Sequence, residues 1–143
     1  MQLRPLYRVR ITTIASWSVS LTGANGTESQ HLQFNEGYCK GRIAGRFRNA
    51  NHPRRRTDET YLPDAHGVIE TDDGATILVD FQGFGRAYPI GRRQVVMAVI
   101  HLSEDERYRW LNDALCVAVG EARTDPNEFV FDIAELVWEP IAE

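Results

Sequence analysis

Apolar and polar residues alternate with a period of two over most of this chain, and a period of two builds strands rather than helices. From Tyr7 to Leu21 the apolar residues Tyr7, Val9, Ile11, Ala15, Trp17, Val19 and Leu21 recur at every second position with few gaps, which predicts one long or bent strand. The turn signal Gly23-Ala24-Asn25-Gly26 follows, then a weaker strand over Glu28–Phe34 and another over Gly37–Phe47. Glycines at 37, 41 and 45 stand where strands bend or backbones approach closely in barrels. Arg48–Thr60 is polar and carries Asn51-His52-Pro53 and Arg54-Arg55-Arg56, so it reads as a long loop of the kind that often lids or lines a site.

Tyr61–Thr71 and Ala75–Tyr88 flank Asp72-Asp73-Gly74. Asp-Gly between alternating runs is the strongest short-range hairpin signal. Pro89-Ile90-Gly91 marks the next turn, and Gln94–Leu102 is apolar on both faces. A strand with two apolar faces needs a second cover, and self-association through residues 94–102 would supply it. Ser103 and Glu106 have the spacing of a capping box for a short helical turn that runs through Trp110 and Leu111. Leu115–Glu121 and Glu128–Glu139 are the last strands, with Thr124-Asp125-Pro126-Asn127 between them. About eight strands joined by regular turns predict an all-β, antiparallel barrel or sandwich spanning 1–143 as one domain. An eight-stranded barrel has an interior that side chains fill or that holds one small ligand.

Composition narrows the function classes. The chain has 143 residues, a net charge of −4, and no basic excess, so it predicts neither a nucleic-acid binder nor a protein drawn electrostatically to anionic membranes. No apolar run approaches a membrane span, and the charged N-terminus does not read as a signal peptide. Cys39 and Cys116 form no metal-binding or redox motif; Cys116 sits in an apolar run and reads as a buried thiol, in keeping with a reducing cytoplasm. Dinucleotide fingerprints, phosphate loops, nucleophile elbows and HExxH are all missing, so no cofactor and no metal is expected.

The hairpin turn allows candidate site residues to be placed. With Asp73-Gly74 as a two-residue turn, Asp72 pairs with Ala75, Glu70 with Ile77, Val68 with Val79, His66 with Phe81 and Asp64 with Gly83. Cross-strand partners share a face. One face then carries Asp64, His66, Val68, Glu70, Ile77, Val79 and Phe81, the other Ile69, Leu78, Asp80 and Gln82. The first is more apolar and is expected to face the interior; a slip of one residue reverses the assignment. Asp64 and His66 would point inward beside Phe81, roughly 6–7 Å apart along the strand. An imidazole near a carboxylate is a natural general acid or base. His52 in the polar loop is a second candidate for proton transfer. Arg46, with Arg48 and Arg54–Arg56, has the fork that pairs with an acidic ligand. Phe81, Tyr88 and Trp110 are candidate walls of a pocket, and the amide of Asn112 either orients a ligand carbonyl or caps the helical turn. His31 and His101 have no evident partner in the sequence.

Three segments together resemble the domain-of-unknown-function 3237 family: Glu36-Gly37-Tyr38 with Gly41 and Gly45; Asp64-Ala65-His66 leading into Glu70–Ile77; and Tyr108–Asn112 followed by Val117–Gly120. The resemblance implies a barrel similar to calycin-like or cyclase-type barrels, often oligomeric. This chain has Asn51-His52 where the family commonly has Asp-Trp, and Asp58-Glu59-Thr60 where it favours Asp-Gly-Thr. The reading that follows is a small-molecule-binding barrel acting as a cofactor-independent cyclase, isomerase or hydro-lyase through His66, Asp64 or His52. A carrier or sensor without turnover is the alternative, and a structural subunit a third.

Overall fold

The computed structural model describes residues 1–86, 93–124 and 127–142. Among the described residues ten antiparallel strands form a single sheet: β1 (Gln2–Gly23), β2 (Gly26–Gly41), β3 (Gly45–Asn51), β4 (Arg54–Arg55), β5 (Tyr61–Leu62), β6 (Asp64–Thr71), β7 (Thr76–Arg86), β8 (Gln94–Leu102), β9 (Cys116–Thr124) and β10 (Asn127–Val137). The eight long strands pair in the cycle β1–β2–β3–β6–β7–β8–β9–β10, and β10 returns to β1. The sheet thus closes on itself as a barrel-like ring, and closure removes edges that would otherwise expose unpaired backbone.

Alternation fills the ring. Val9, Cys39, Ile69, Ile77, Val99 and Ala118 point inward and are fully buried. At one end Ile43 and Leu111 plug the interior, the latter from a 3₁₀ turn over Arg109–Leu111. Gly37 and Gly45 permit the close packing of strands expected of them: a Cβ at Gly37 would lie 1.8 Å from the Arg10 carbonyl oxygen, and one at Gly45 2.2 Å from that of Glu70. The thiols of Cys39 and Cys116 are buried, as expected for Cys116, and burial pushes them up to about 12 and about 11.

Several sequence expectations are corrected. Glu28–Phe34 and Gly37–Phe47 are not two strands: β2 runs unbroken through Gly41, and β3 starts only at Gly45. The stretch 48–60 is not a free lid. Past the ends of β3 and β6, β4 continues against β2 and β5 against β7, so the segment extends the wall and satisfies two backbone edges. The helical turn is a single 3₁₀ turn without the capping box: Ser103 Oγ donates to the Thr76 carbonyl and accepts from the Asp105 N–H. The inward residues of β8 are buried, while Val96, Ile100 and Leu102 stand more than half exposed on its outer face. The expected self-association would act on that open apolar strip. The Pro89-Ile90-Gly91 turn and the Asp125-Pro126 pair lie outside the described residues.

The most consequential correction is the turn between β6 and β7. Thr71, not Asp72, pairs with Ala75: the Thr71 N–H donates to the Ala75 carbonyl at 2.9 Å, and Thr71 Oγ1 accepts the Ala75 N–H at 2.7 Å. Asp72, Asp73 and Gly74 form a three-residue loop that ends with Gly74 at φ +89°, the left-handed position of that turn class. The register is therefore one residue off the expected one, with His66 opposite Asp80 and Ala65 opposite Phe81. Arg107 and Tyr108 hold the turn, donating to the Asp73 carbonyl and carboxylate.

At Glu59 the backbone is left-handed, φ 70°, where the resembled family favours glycine. Such a conformation costs an L-residue roughly 1 kcal/mol. Glu59→Gly is expected to hold or raise stability by up to about 1 kcal/mol despite losing an exposed ion pair to Arg55, as read from urea midpoints.

A second prediction concerns His101, which sits in the core bonded to Tyr7 Oη at 2.7 Å through Nε2 while its Nδ1 has no partner among the described residues. Burial lowers its pKa from 6.5 to about 4, so the imidazole is neutral when folded. On acidification the unfolded chain takes up this proton first. The stability it contributes is complete above pH 6.5 and falls progressively toward pH 4, by on the order of 3 kcal/mol. His101→Gln is expected to flatten unfolding free energy over that window; an unchanged slope would contradict the assignment.

Candidate functional site

The register decides which side chains meet inside the ring. Ala65, Ile69, Val79 and Phe81 face inward; Asp64, His66, Val68 and Glu70 face out. Phe81 is thus where it was expected, while the inward placement of His66 and Asp64 is overturned, because the extra loop residue flips the parity of β6 alone.

At the end of the ring opposite the 3₁₀ plug lies a recess lined by Ile11, Asn35, Phe47, Asn49, Asn51, Pro63, Ala65, Phe81, Val95, Met97, Phe129 and Phe131. It has a volume of about 30 Å³, room for about one water molecule. Phe47 and Phe81 meet edge to face at 5.8 Å, and Phe129 and Phe131 stack at 6.0 Å. Into this apolar wall the sheet inserts one polar row. Asn35 is opposite Asn49 on β2 and β3, and Thr13 is opposite Asn35 on β1. Thr13 Oγ1 donates to Asn35 Oδ1 at 2.7 Å, and Asn35 Nδ2 donates to Asn49 Oδ1 at 2.8 Å. Asn51 Oδ1 accepts the Asp64 N–H at 3.1 Å. The Nδ2 groups of Asn49 and Asn51 donate to no other group among the described residues. None of the described residues lining the recess titrates, so its polarity is that of neutral amides.

Sequence reasoning missed these asparagines. Asn49 and Asn51 continue the inward parity of Phe47, and Asn35 that of Cys39, so a polar residue at an inward position was a readable signal.

The rim carries a second cluster. His31 stacks on Tyr61 at 5.9 Å, and the Arg93 guanidinium lies 3.9 Å over the same ring. His31 also meets Ser18 at 2.6 Å and Ser29 at 3.2 Å, so it has the partners its sequence context did not reveal. Burial and the charges of Arg93 and Arg55 lower its pKa.

The other candidates fall elsewhere. On the outer face, His66 Nδ1 meets Asp80 at 2.7 Å, and its Nε2 lies 3.5 Å from Asp64, above a shallow hollow that includes Phe34, Val68 and Leu78. The hydrogen bond to Asp80 raises the His66 pKa. Asp64 also accepts from Gln82. His52 lies in a separate groove of about 580 Å³ with Trp17, Leu32, Arg54 and Arg56, its Nε2 3.0 Å from Gln30 Oε1. Arg46 faces out, 3.6 Å from Glu36. Trp110 is at the plugged end beneath Arg42 and donates to the Arg107 carbonyl, so it does not wall the recess. Asn112 bridges the Ser103 N–H and carbonyl at 2.8 and 2.9 Å, tying the 3₁₀ turn back to the end of β8; its side chain neither caps that turn nor lines the recess. Tyr88 lies outside the described residues. Among the described residues no cluster is suited to hold a metal, and no helix is long and apolar enough to cross a membrane.

Solved structures with this fold span nearly the whole chain. A beta-barrel like protein from Acinetobacter baumannii superposes with a TM-score of 0.75 at 20% identity over 94% of each chain. A protein with unknown function from Clostridium acetobutylicum gives 0.81 at 15% identity, covering 96% of this chain and 100% of that one. A protein from Penicillium herquei, described as an enzyme, gives 0.68 at 24% identity over 92% and 93%. No curated protein matches the sequence. The model of the DUF3237 family, proteins of unknown function, matches residues 1–136, and the chain belongs to that family.

Proposed function

We propose that the chain is a small-molecule-binding barrel whose ligand enters the recess between Pro63, Met97 and Phe129 with its apolar body against the phenylalanines. The observation that carries this reading is the polar row Thr13–Asn35–Asn49, with Asn51 beside it, set into a wall that is otherwise aromatic and aliphatic. A wall built for packing alone gains nothing from amides at inward positions, and the Nδ2 groups of Asn49 and Asn51, which are not buried, stay open to a partner. Ligand pockets have this composition: a mostly apolar lining with a few fixed polar groups. The enclosed space is small, so an occupant larger than water displaces Met97, whose unbranched side chain adapts readily.

Ala65→Leu tests the recess by filling it. Small aromatic compounds that bind the wild type in ligand-observed NMR are expected to lose at least about tenfold in affinity, with a stability cost of about 1–3 kcal/mol. Unchanged affinity in the folded variant would place binding elsewhere.

The second reading is proton transfer on the outer face, and the bracketing of His66 by Asp80 and Asp64 favours it. A carboxylate on Nδ1 fixes the tautomer and strengthens the hold on a proton, so His66 serves there as the acid of a cofactor-independent cyclase, isomerase or hydro-lyase step. The His66 imidazole is expected to titrate above its ordinary value by NMR and to return toward it in Asp80→Asn. A metabolite consumed by the wild type and spared by His66→Ala supports turnover; equal consumption by both removes His66 from the chemistry.

A further inference from the structure

We infer that the outer reach of β1 is a docking edge for a second copy of this chain, the two β1 strands pairing antiparallel across a two-fold axis so that the sheet of one barrel runs on into the next. The recess has no part in this pairing. Ring closure stops at Ile11, the last β1 residue paired with β10. From residue 12 to 23, β1 is paired on one side only, with β2, and among the described residues its other backbone edge has no partner. Residues 16–23 stand exposed on both faces, with Trp17, Val19 and Leu21 at 56%, 67% and 72%. Folded proteins normally blunt such edges with charge or proline. The shorter open stretch at the start of β1, residues 2–5, carries both, in Arg4 and Pro5. From residue 11 to 27 the chain has neither.

The missing charge also says which partner fits. A strand that pairs with its own copy sets like residues near like, so a charged edge repels itself. This edge has no charge to repel, and the outward charges at this end, Glu28 and Arg54, sit one and two strands back. Its two faces match themselves as well. Trp17, Val19 and Leu21 lie on the outer side with Leu32, and Ser18 on the inner side with His31. A two-fold axis perpendicular to the sheet keeps outer face with outer face. Trp17 of one copy then lies opposite Val19 or Leu21 of the other, and serine opposite serine, which are favourable cross-strand pairs. Parallel pairing about an axis along the strands would instead set the apolar row beside the serine row. The pairing also supplies support. The arm of β1 and β2 beyond the ring is backed only by the two residues of β4, and two strands alone are marginal in water. A strand from the second copy backs it on the open side.

Sedimentation over a concentration series reads the assembly directly. The wild type is expected to form dimers or multiples of them. Val19→Lys, at an exposed outward site, is expected to weaken the dimer by at least about tenfold, since the substitution enters a two-fold interface twice. Val19→Glu alone is expected to do the same, and a one-to-one mixture of the two variants to restore the dimer. Ile100→Lys, on the outer face of β8, is expected to leave this dimer intact. Circular dichroism checks that each variant is folded. If the Val19 variants fail to fold, hydrogen exchange on the wild type replaces them: amides at alternate positions of residues 15–22 are expected to gain protection as concentration rises, because alternate residues turn their N–H to the same edge. The pairing is overturned by a wild type that stays a single chain, by an assembly that Val19→Lys leaves unchanged, by a mixture that does not re-associate, by dissociation in Ile100→Lys alone, or by amides whose protection does not change.

Discussion

One hydroxyl decides the inner surface of this barrel. Thr71 Oγ1 accepts the Ala75 N–H and donates to Asp73, closing a three-residue loop where a two-residue turn was also open to the sequence. In a strand each extra residue exchanges the two faces, so this loop puts Ala65, Gly67 and Ile69 opposite Phe81, Val79 and Ile77 in the interior. Toward the open end, small Gly67 and Ala65 on β6 face Val79 and Phe81 on β7, and Ala65 lines the recess where a two-residue turn would have put His66. Tyr108 and Arg107 clamp Asp73 from the 3₁₀ segment, so the far end of the chain helps set this register.

Ring closure supplies the second constraint. β1 pairs with both β2 and β10, and β10 reaches only to Ile11 on β1. Beyond that point the hairpin of β1 and β2 runs on, and its inward side becomes polar through Ser18, Ser29 and His31. The lumen therefore changes character along its length, from the packed aliphatic floor through the amide row to the His31–Tyr61–Arg93 stack at the rim.

Much of the architecture was legible in the sequence because alternation is a local property. The long strands, their antiparallel order and the inward Ile77, Val79 and Phe81 follow from parity and turn residues alone. What was hidden depended on counts or on distant partners. The register of β6 turns on one residue within Asp72-Asp73-Gly74, and a Thr71 side chain that competes with the backbone is not visible in a turn dipeptide. The pairing of β4 and β5 into the wall arises only because β3 and β6 end early, which the polar stretch itself does not announce. His101 looked isolated because its partner Tyr7 lies 94 positions away, and the ring on which His31 stacks, Tyr61, lies 30 positions on. The asparagines could have been found: once Phe47 was placed inward, Asn49 and Asn51 had to follow it.

The contrast between the inner and outer faces carries the last step. On the outside, charged groups pair with one another: His66 with Asp80 and Arg46 with Glu36, all in contact with water. On the inside the polarity is limited to amides and a threonine hydroxyl, and the only buried imidazole, His101 among the described residues, is held neutral at the floor. An apolar lumen tolerates dipoles at far lower cost than charges. It can therefore hold neutral amides in its wall, whereas a buried arginine or carboxylate would need a permanent partner.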